Sequence, residues 1–292
     1  MKLKEYLVAY AFLAPWFIGL FAFSLFPIAA SLYLSLTSYD MLNPPVWDGL
    51  NNYYDIFTDK RFFQSLTVTL TYVLFGVPFE LVFALTLAIV LNSSISRAVN
   101  VYRGVYYIPS LIGGSVSVSL LWRQIFGSDG LINQALGFFG VAGTSWIANP
   151  KTALITIIIL KVWQFGSPMV IFLAGLKQIP KELYEAAAID GAGRKQSFFL
   201  VTLPLLTPVI LFNLIMQLIG SFQAFTPAYI ISGGNGGPVN STLFYTLYLY
   251  QQGFQNYQMG VASAMAWILL LLIASCSALA FWTSRRWVHY ME

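Results

Sequence analysis

From Gln196 to Ser284 this chain runs 89 residues without one Asp, Glu, Lys, Arg or His. A soluble domain carries roughly 25% charged residues and spreads them over its exposed faces, so a run of this length cannot lie in water. About 20 apolar residues suffice to cross the hydrocarbon as a helix, so the run must hold more than one crossing. The stretch Ser232-Gly-Gly-Asn-Gly-Gly-Pro-Val-Asn240 divides it, because glycine, asparagine and proline favour a turn over continued helix. Shorter uncharged runs repeat the signal: Tyr6 to Tyr39, Phe62 to Ser96 broken only by Glu80, Gly104 to Trp122, and Thr152 to Leu176 broken only by Lys161. The pattern predicts an all-α, polytopic membrane protein with six transmembrane helices, at about 7–37, 63–91, 104–126, 153–175, 204–231 and 258–283. No separate soluble domain is visible, so residues 1–292 read as a single transmembrane domain.

Composition agrees. The chain is 58% apolar and 9% charged, with a mean hydropathy of +0.71. The 24 Phe, 17 Tyr and 8 Trp exclude disorder, and the single cysteine, Cys276, excludes a disulfide scaffold. A net charge of +4 is no case for nucleic acid; the lipid bilayer is the expected surrounding. Lys2 and Lys4 precede 34 uncharged residues, far beyond the roughly 7–15 of a secretory h-region, so this stretch reads as an uncleaved first span.

Orientation follows from the basic residues. With both termini in the cytoplasm, the inner segments hold Lys2, Lys4, Arg97, Arg103, Lys177, Lys181, Arg194, Lys195, Arg285 and Arg286. The outer segments hold Lys60, Arg61, Arg123 and Lys151, and Lys161 lies within a span. Ten against four supports this orientation. Outside, Asp48-Gly-Leu-Asn-Asn-Tyr-Tyr-Asp55 reads as a capped turn into a short helix, and Gly130-Leu-Ile-Asn-Gln-Ala-Leu136 as a second one. Thr242 to Tyr257, rich in Tyr, Phe and Gln, has the composition of a segment in the headgroup region.

The chemistry of an enzyme is missing. No phosphate cradle of the G-x-x-x-x-G-K-[ST] form occurs; Gly191-Ala-Gly-Arg-Lys-Gln-Ser197 has the wrong spacing and follows a helix. His289 and Cys276 are each alone of their kind, which leaves neither a metal site nor a nucleophilic triad. The expectation is no catalytic residue, no metal and no cofactor bound by this chain.

The inner loop 176–203 carries the sharpest pattern. Pro180 fixes a helix start, Lys181-Glu-Leu-Tyr-Glu-Ala-Ala-Ala-Ile-Asp190 follows, and Gly191 is placed as a C-terminal cap. Leu183, Tyr184, Ala187 and Ala188 share one face of about 140°, whose small residues permit close approach of another protein. Glu182, Glu185 and Asp190 surround it with charge. From these residues alone, a helix lying on the inner membrane surface is an equal reading.

The residue pattern Glu185-Ala186-Ala187, three residues, Gly191, nine residues, then Val201-Thr-Leu-Pro204, resembles the E-A-A…G…I-x-L-P loop of ABC importer permeases, with Val201 in place of Ile. Asp190-Gly-Ala192 completes the form typical of the carbohydrate-uptake branch, which imports maltose, other oligosaccharides and sn-glycerol 3-phosphate. Ile171-Phe-Leu-Ala-Gly-Leu-Lys-Gln-Ile-Pro180, Gly236-Gly-Pro-Val-Asn-Ser-Thr242 and Leu50-Asn-Asn-Tyr53 are similar to further segments of that branch. The resemblance implies a type I importer fold of the compact maltose-permease-like form. It implies partners as well: a second permease chain, two cytoplasmic ATP-binding subunits that hold the ATP and Mg, an extracytoplasmic solute-binding protein, and a saccharide substrate. It gives Glu185, Ala186, Ala187, Asp190 and Gly191 the ATPase-coupling role. A permease for amino acids or peptides is the alternative, against which the D-G-A and G-G-P elements stand. An ion-coupled secondary transporter is the other, and no inverted repeat supports it.

Ionisable groups inside a span are costly, which singles out Glu80 and Lys161. Two roles stand open for them: a pair that ties the second span to the fourth, or proton coupling. On the fifth span, with Asn213 at 0°, Gln217 falls at about 40°, Gly220 at about −20° and Gln223 at about −80°. Amides on one side of a helix can line a passage for a hydroxyl-rich solute or hold helices together. Phe222, Phe225 and Tyr229 are candidates for stacking on a sugar ring. The resemblance implies substrate contact near Gln223; Trp163 and Gln164 on the fourth span and Tyr257 before the sixth complete the expected pathway.

Overall fold

The structure is a computed structural model that describes residues 2–93 and 99–289; Arg97, counted among the inner basic residues, lies outside them. It is helical apart from a two-residue ribbon in which Thr37 pairs with Trp47 and Ser38 with Val46. Among the described residues four helical runs are long and apolar enough to cross a membrane, and two bent helix pairs bring the number to six if each pair is one span. The described chain divides into two compact units, Met1–Asp59 with Leu249–Leu271, and Lys60–Tyr248 with Leu272–Glu292.

The first unit opens on Lys2–Leu20, which continues through a π-turn at Phe21–Leu25 into Phe26–Ser35. The π-turn comes just before Pro27. A proline inside a helix has no N–H to donate and clashes with the carbonyl four residues back, here Phe23, and the wider turn relieves both problems. The fifth span repeats the device, with a π-turn at Phe198–Thr202 just before Pro204. Beyond the first span, Asn51–Thr58 forms the expected short helix, and the Asp48 carboxylate accepts from the Asn51 amide at 2.8 Å. The buried Asn52 amide donates to the carbonyls of Ser35 and Thr37, both at 2.9 Å, and so closes the end of the first span.

In the second unit the helix Lys60–Ser93 is central, with both halves of the fourth span and the fifth packed on it. Ala84 and Ala88, both fully buried, let neighbouring helices approach. Two predicted spans are broken. The third divides into Val99–Ile112 and Val116–Ile125, bent by 96°, and the fourth into Ala153–Trp163 and Gly166–Gln178, bent by 41°. At the first break Gly113 and Gly114 favour chain reversal over helix, and the Ser115 hydroxyl caps the next helix by accepting from Val118 N–H at 3.3 Å. The fifth span, expected over 204–231, instead ends at Phe222 and resumes as Thr226–Ser232. Pro227 is the cause, since it cannot continue the hydrogen-bond ladder from Gln223.

Thr242 to Tyr257 does not lie among headgroups over its first half. Leu243, Phe244, Tyr245, Leu247 and Tyr248 are all buried inside the second unit. Tyr245 N–H donates to Thr69 Oγ1 at 2.9 Å, and the Tyr245 and Phe244 rings meet Phe62 and Tyr72 at 5.7 and 4.8 Å. Aromatic composition alone does not separate an interfacial belt from a buried insertion.

The two intramembrane charges meet. Lys161 Nζ lies 2.7 Å from Glu80 Oε2 and donates to Gln217 Oε1 at 3.0 Å, which joins the second, fourth and fifth spans at one buried point. The lysine stem runs along Gly76, where a Cβ would stand 3.1 Å from Lys161 Cδ. Removing one member of such a pair leaves a buried charge and costs about 3–5 kcal/mol, whereas replacing both by apolar residues is near neutral. Glu80→Leu or Lys161→Met alone should therefore lower the thermal denaturation midpoint and the monodisperse yield in detergent. The double variant should recover both; a double variant as poor as the singles would show that the pair does more than hold helices together.

Candidate functional site

The loop 176–203, expected on the inner side, folds around a capped, mostly exposed helix. Pro180 occupies the N-cap position with extended ψ, and the helix runs Lys181–Ile189. Gly191 takes φ +80°. Its N–H donates to Ala188 O at 3.1 Å, and Ala192 N–H to Ala187 O at 2.8 Å, the paired bonds of a Schellman cap. A Cβ on Gly191 would meet nothing within 4 Å, so the demand for glycine here is one of backbone conformation alone.

The helix has two sides. Tyr184 and Ala187 are half-buried, and the Tyr184 hydroxyl is 2.9 Å from Thr202 Oγ1 at the π-turn that begins the fifth span. A recess of about 410 Å³ lies behind this side, lined by Ile89, Leu176, Tyr184, Ala188 and Arg194 among others. Glu182, Glu185, Ala186, Asp190 and Gly191 are exposed, and so is Ile189, at 86%. Of the face expected to admit a partner, Tyr184 and Ala187 thus turn toward this chain, because the hydroxyl–hydroxyl contact orients the helix. The surface left open is acidic with two large apolar residues, Leu183 and Ile189, the second of which the sequence reading passed over.

The expected pathway residues do not form one row. Asn213 is 1% exposed, and among the described residues neither atom of its amide has a hydrogen-bond partner. Gln217 is committed to Lys161, and Phe222 is buried. Gln223 is exposed where the helix ends, and the Phe225 and Tyr229 rings lie 5.4 Å apart on the two sides of the restart. Trp163 stands 5.7 Å from Trp122. Gln164 Nε2 donates to Leu160 O at 3.3 Å, and Tyr257 is exposed with φ +57°, in the other compact unit. The stripe drawn from a continuous helix therefore dissolves into two packed groups and an exposed end at Gln223.

One residue the sequence reading missed ties the two broken spans together. Ser110 Oγ donates to Gln164 O at 2.6 Å and accepts from Ser167 N–H at 2.7 Å, two backbone groups freed by the bend of the fourth span. Its signal was present, a hydroxyl directly after Pro109 inside an apolar span. The break in the fifth span is treated alike, since Thr246 Oγ1 donates to Ala224 O at 2.5 Å.

Comparison with known proteins places this architecture. Residues 56–289 match the family described as binding-protein-dependent transport system inner membrane component. The chain is 53% identical over 289 residues to the probable ABC transporter permease protein YesP of Bacillus subtilis, covering 98% of this chain and 93% of that one. It is 34% identical to the lactose transport system permease protein LacF of Rhizobium radiobacter, covering 97% of each. A solved bacterial alginate ABC transporter, in complex with an alginate pentasaccharide-bound periplasmic protein, has a chain with the same fold: TM-score 0.85 at 21% identity, over 100% of this chain and 98% of that one. The chain is a multi-pass transport subunit and belongs to the family of binding-protein-dependent transport system inner membrane components.

Proposed function

We propose that this chain forms half of the translocation pathway of an ATP-driven importer for a saccharide, an oligo- or disaccharide or a related polyol. Residues 1–292 act as one transmembrane domain beside a second permease, with both termini and the loop 176–203 in the cytoplasm. Two ATPase subunits hold the ATP and Mg, and a solute-binding protein delivers the sugar outside. The observation that carries the reading is the helix Lys181–Ile189: its acidic side is exposed, its end is locked by Gly191, and Tyr184 joins it to the start of the fifth span. A push on such a helix is transmitted to the membrane helices instead of being absorbed by a loose loop. The names of the relatives supply the solute class: lactose for LacF, and arabinooligosaccharides for AraP of B. subtilis, which is 33% identical over 93% of this chain. Against ion coupling, the one acid within the second span is already paired with Lys161. Sugar uptake into proteoliposomes holding the whole complex should require ATP and the binding protein. Uptake driven by an ion gradient without ATP would reject the reading.

The coupling role of Glu185 has its own test. A charged contact at an interface costs about 2–5 kcal/mol when one partner is truncated, so Glu185→Ala should weaken ATPase binding at least about tenfold. Gly191→Leu should act through the backbone, since leucine at φ +80° is strained by about 1–2 kcal/mol. Co-purification of the ATPase with tagged permease and sugar-stimulated ATP turnover report both. Wild-type values for Glu185→Ala would remove this loop from coupling.

Orientation is tested by labelling. In a Cys276→Ala background, a cysteine at position 194 should react with a membrane-impermeant maleimide only after the cells are opened. Labelling there in intact cells would invert the topology.

A further inference from the structure

We infer that the recess between the outer loop after the third span and the glycine-rich loop after the fifth span is a docking site for a carboxylate side chain of the solute-binding protein. The inference rests on the importer reading above. The recess measures about 450 Å³, and Arg123, Ser145 and Asn235 line it over a floor that includes Ile147 and Ile231. Among the described residues Arg123 makes no ion pair or hydrogen bond, and its Nη1 lies 4.0 Å from where a Cβ of Gly233 would stand. The acid nearest to it in sequence, Asp129, is turned to the Ser128 hydroxyl at 3.3 Å.

What the recess still offers is donors. Asn235 Oδ1 already accepts from Gly237 N–H at 2.9 Å, which leaves the Nδ2 hydrogens free. Ser145 Oγ already accepts from Ala148 N–H at 3.3 Å, which leaves its own hydrogen to give. A guanidinium, an amide NH2 and a hydroxyl proton, all available to donate, match an ionised carboxylate, which only accepts.

Both walls are held in place. On one side the buried Asn133 amide takes the carbonyls of Gly127, Ser128 and Thr144 at 2.7–2.9 Å and accepts from Trp146 Nε1 at 2.9 Å. On the other, Gly233, Gly234, Gly236 and Gly237 all take positive φ, which folds the loop back on itself. A preformed recess suits a partner that arrives folded. The loops lie outside in the orientation proposed, on the side where a binding-protein-dependent permease meets its delivery protein. The carboxylate is therefore an Asp or Glu of that protein.

The test uses the whole complex in nanodiscs with purified, sugar-loaded binding protein, reading ATP turnover against binding-protein concentration at several salt concentrations. Arg123→Glu should raise the half-stimulating concentration about tenfold or more, leaving basal turnover and turnover at saturation unchanged. Added salt should weaken the wild type more than Arg123→Gln. Asn235→Asp, which keeps the shape but puts a negative charge where the neutral amide stood, should act in the same direction and serves if Arg123→Glu assembles poorly. An unchanged half-stimulating concentration in both variants, with normal assembly, overturns the docking site. A defect that persists at saturating binding protein and follows the charge of the sugar also overturns it, because the carboxylate then comes from the solute. A wild-type complex that its binding protein does not stimulate overturns the importer reading itself.

Discussion

Every backbone N–H and C=O at membrane depth must find a partner within the protein, because hydrocarbon offers none. A straight helix meets this demand by itself. This chain bends or interrupts three of its crossings, and each interruption frees backbone groups that a hydroxyl then takes. Ser115 caps the restart of the third span, Ser110 serves a carbonyl and an N–H at the bend of the fourth, and Thr246 takes the Ala224 carbonyl at the break of the fifth. The π-turns ahead of Pro27 and Pro204 solve the same problem by widening the ladder. Irregular backbone is thus confined to places where a side chain is ready to satisfy it.

The buried ion pair obeys the same logic for charge. Glu80 and Lys161 neutralise each other, and the remaining Lys161 hydrogens have Gln217 at 3.0 Å. The spans joined there are the second, the bent fourth and the fifth, so the pair fixes their register beside the bend. Asn213, one helical turn before Gln217, stands in contrast: it is buried with neither end of its amide bonded. An unmade hydrogen bond of this kind costs about 1–3 kcal/mol per group.

The helix Lys181–Ile189 is built on different terms, with most of its residues exposed. It holds its place through one capped end and the Tyr184–Thr202 contact, and among the described residues its acidic side makes no ion pair. A helix of nine residues is marginal alone, so the Schellman cap at Gly191 and the proline start matter more here than in the long spans. The recess around Arg123 contrasts in sign, with a guanidinium that makes no ion pair among the described residues, where the helix Lys181–Ile189 exposes Glu182 and Glu185.

How much was legible in the sequence depended on the range of the physics involved. The uncharged runs, the helix start at Pro180 and the left-handed cap at Gly191 follow from residue type and near neighbours, and the structure has all three. The meeting of Glu80 and Lys161 was also foreseen as one of two roles, because a charge in hydrocarbon must find its opposite. The breaks at Gly113-Gly114-Ser115 and before Pro227 were written in local residues too, but hydropathy averages over such short interruptions and hid them. What only the tertiary structure decided was which faces meet. Whether Tyr245 lies among headgroups or inside the protein, whether Phe222 and Asn213 are open or buried, and which side of the helix Lys181–Ile189 stays exposed all turn on contacts between segments far apart in sequence. Ser110 shows the limit most clearly: its hydroxyl acts on Gln164 and Ser167, some 55 residues away, and a one-dimensional pattern carries no distance across the fold.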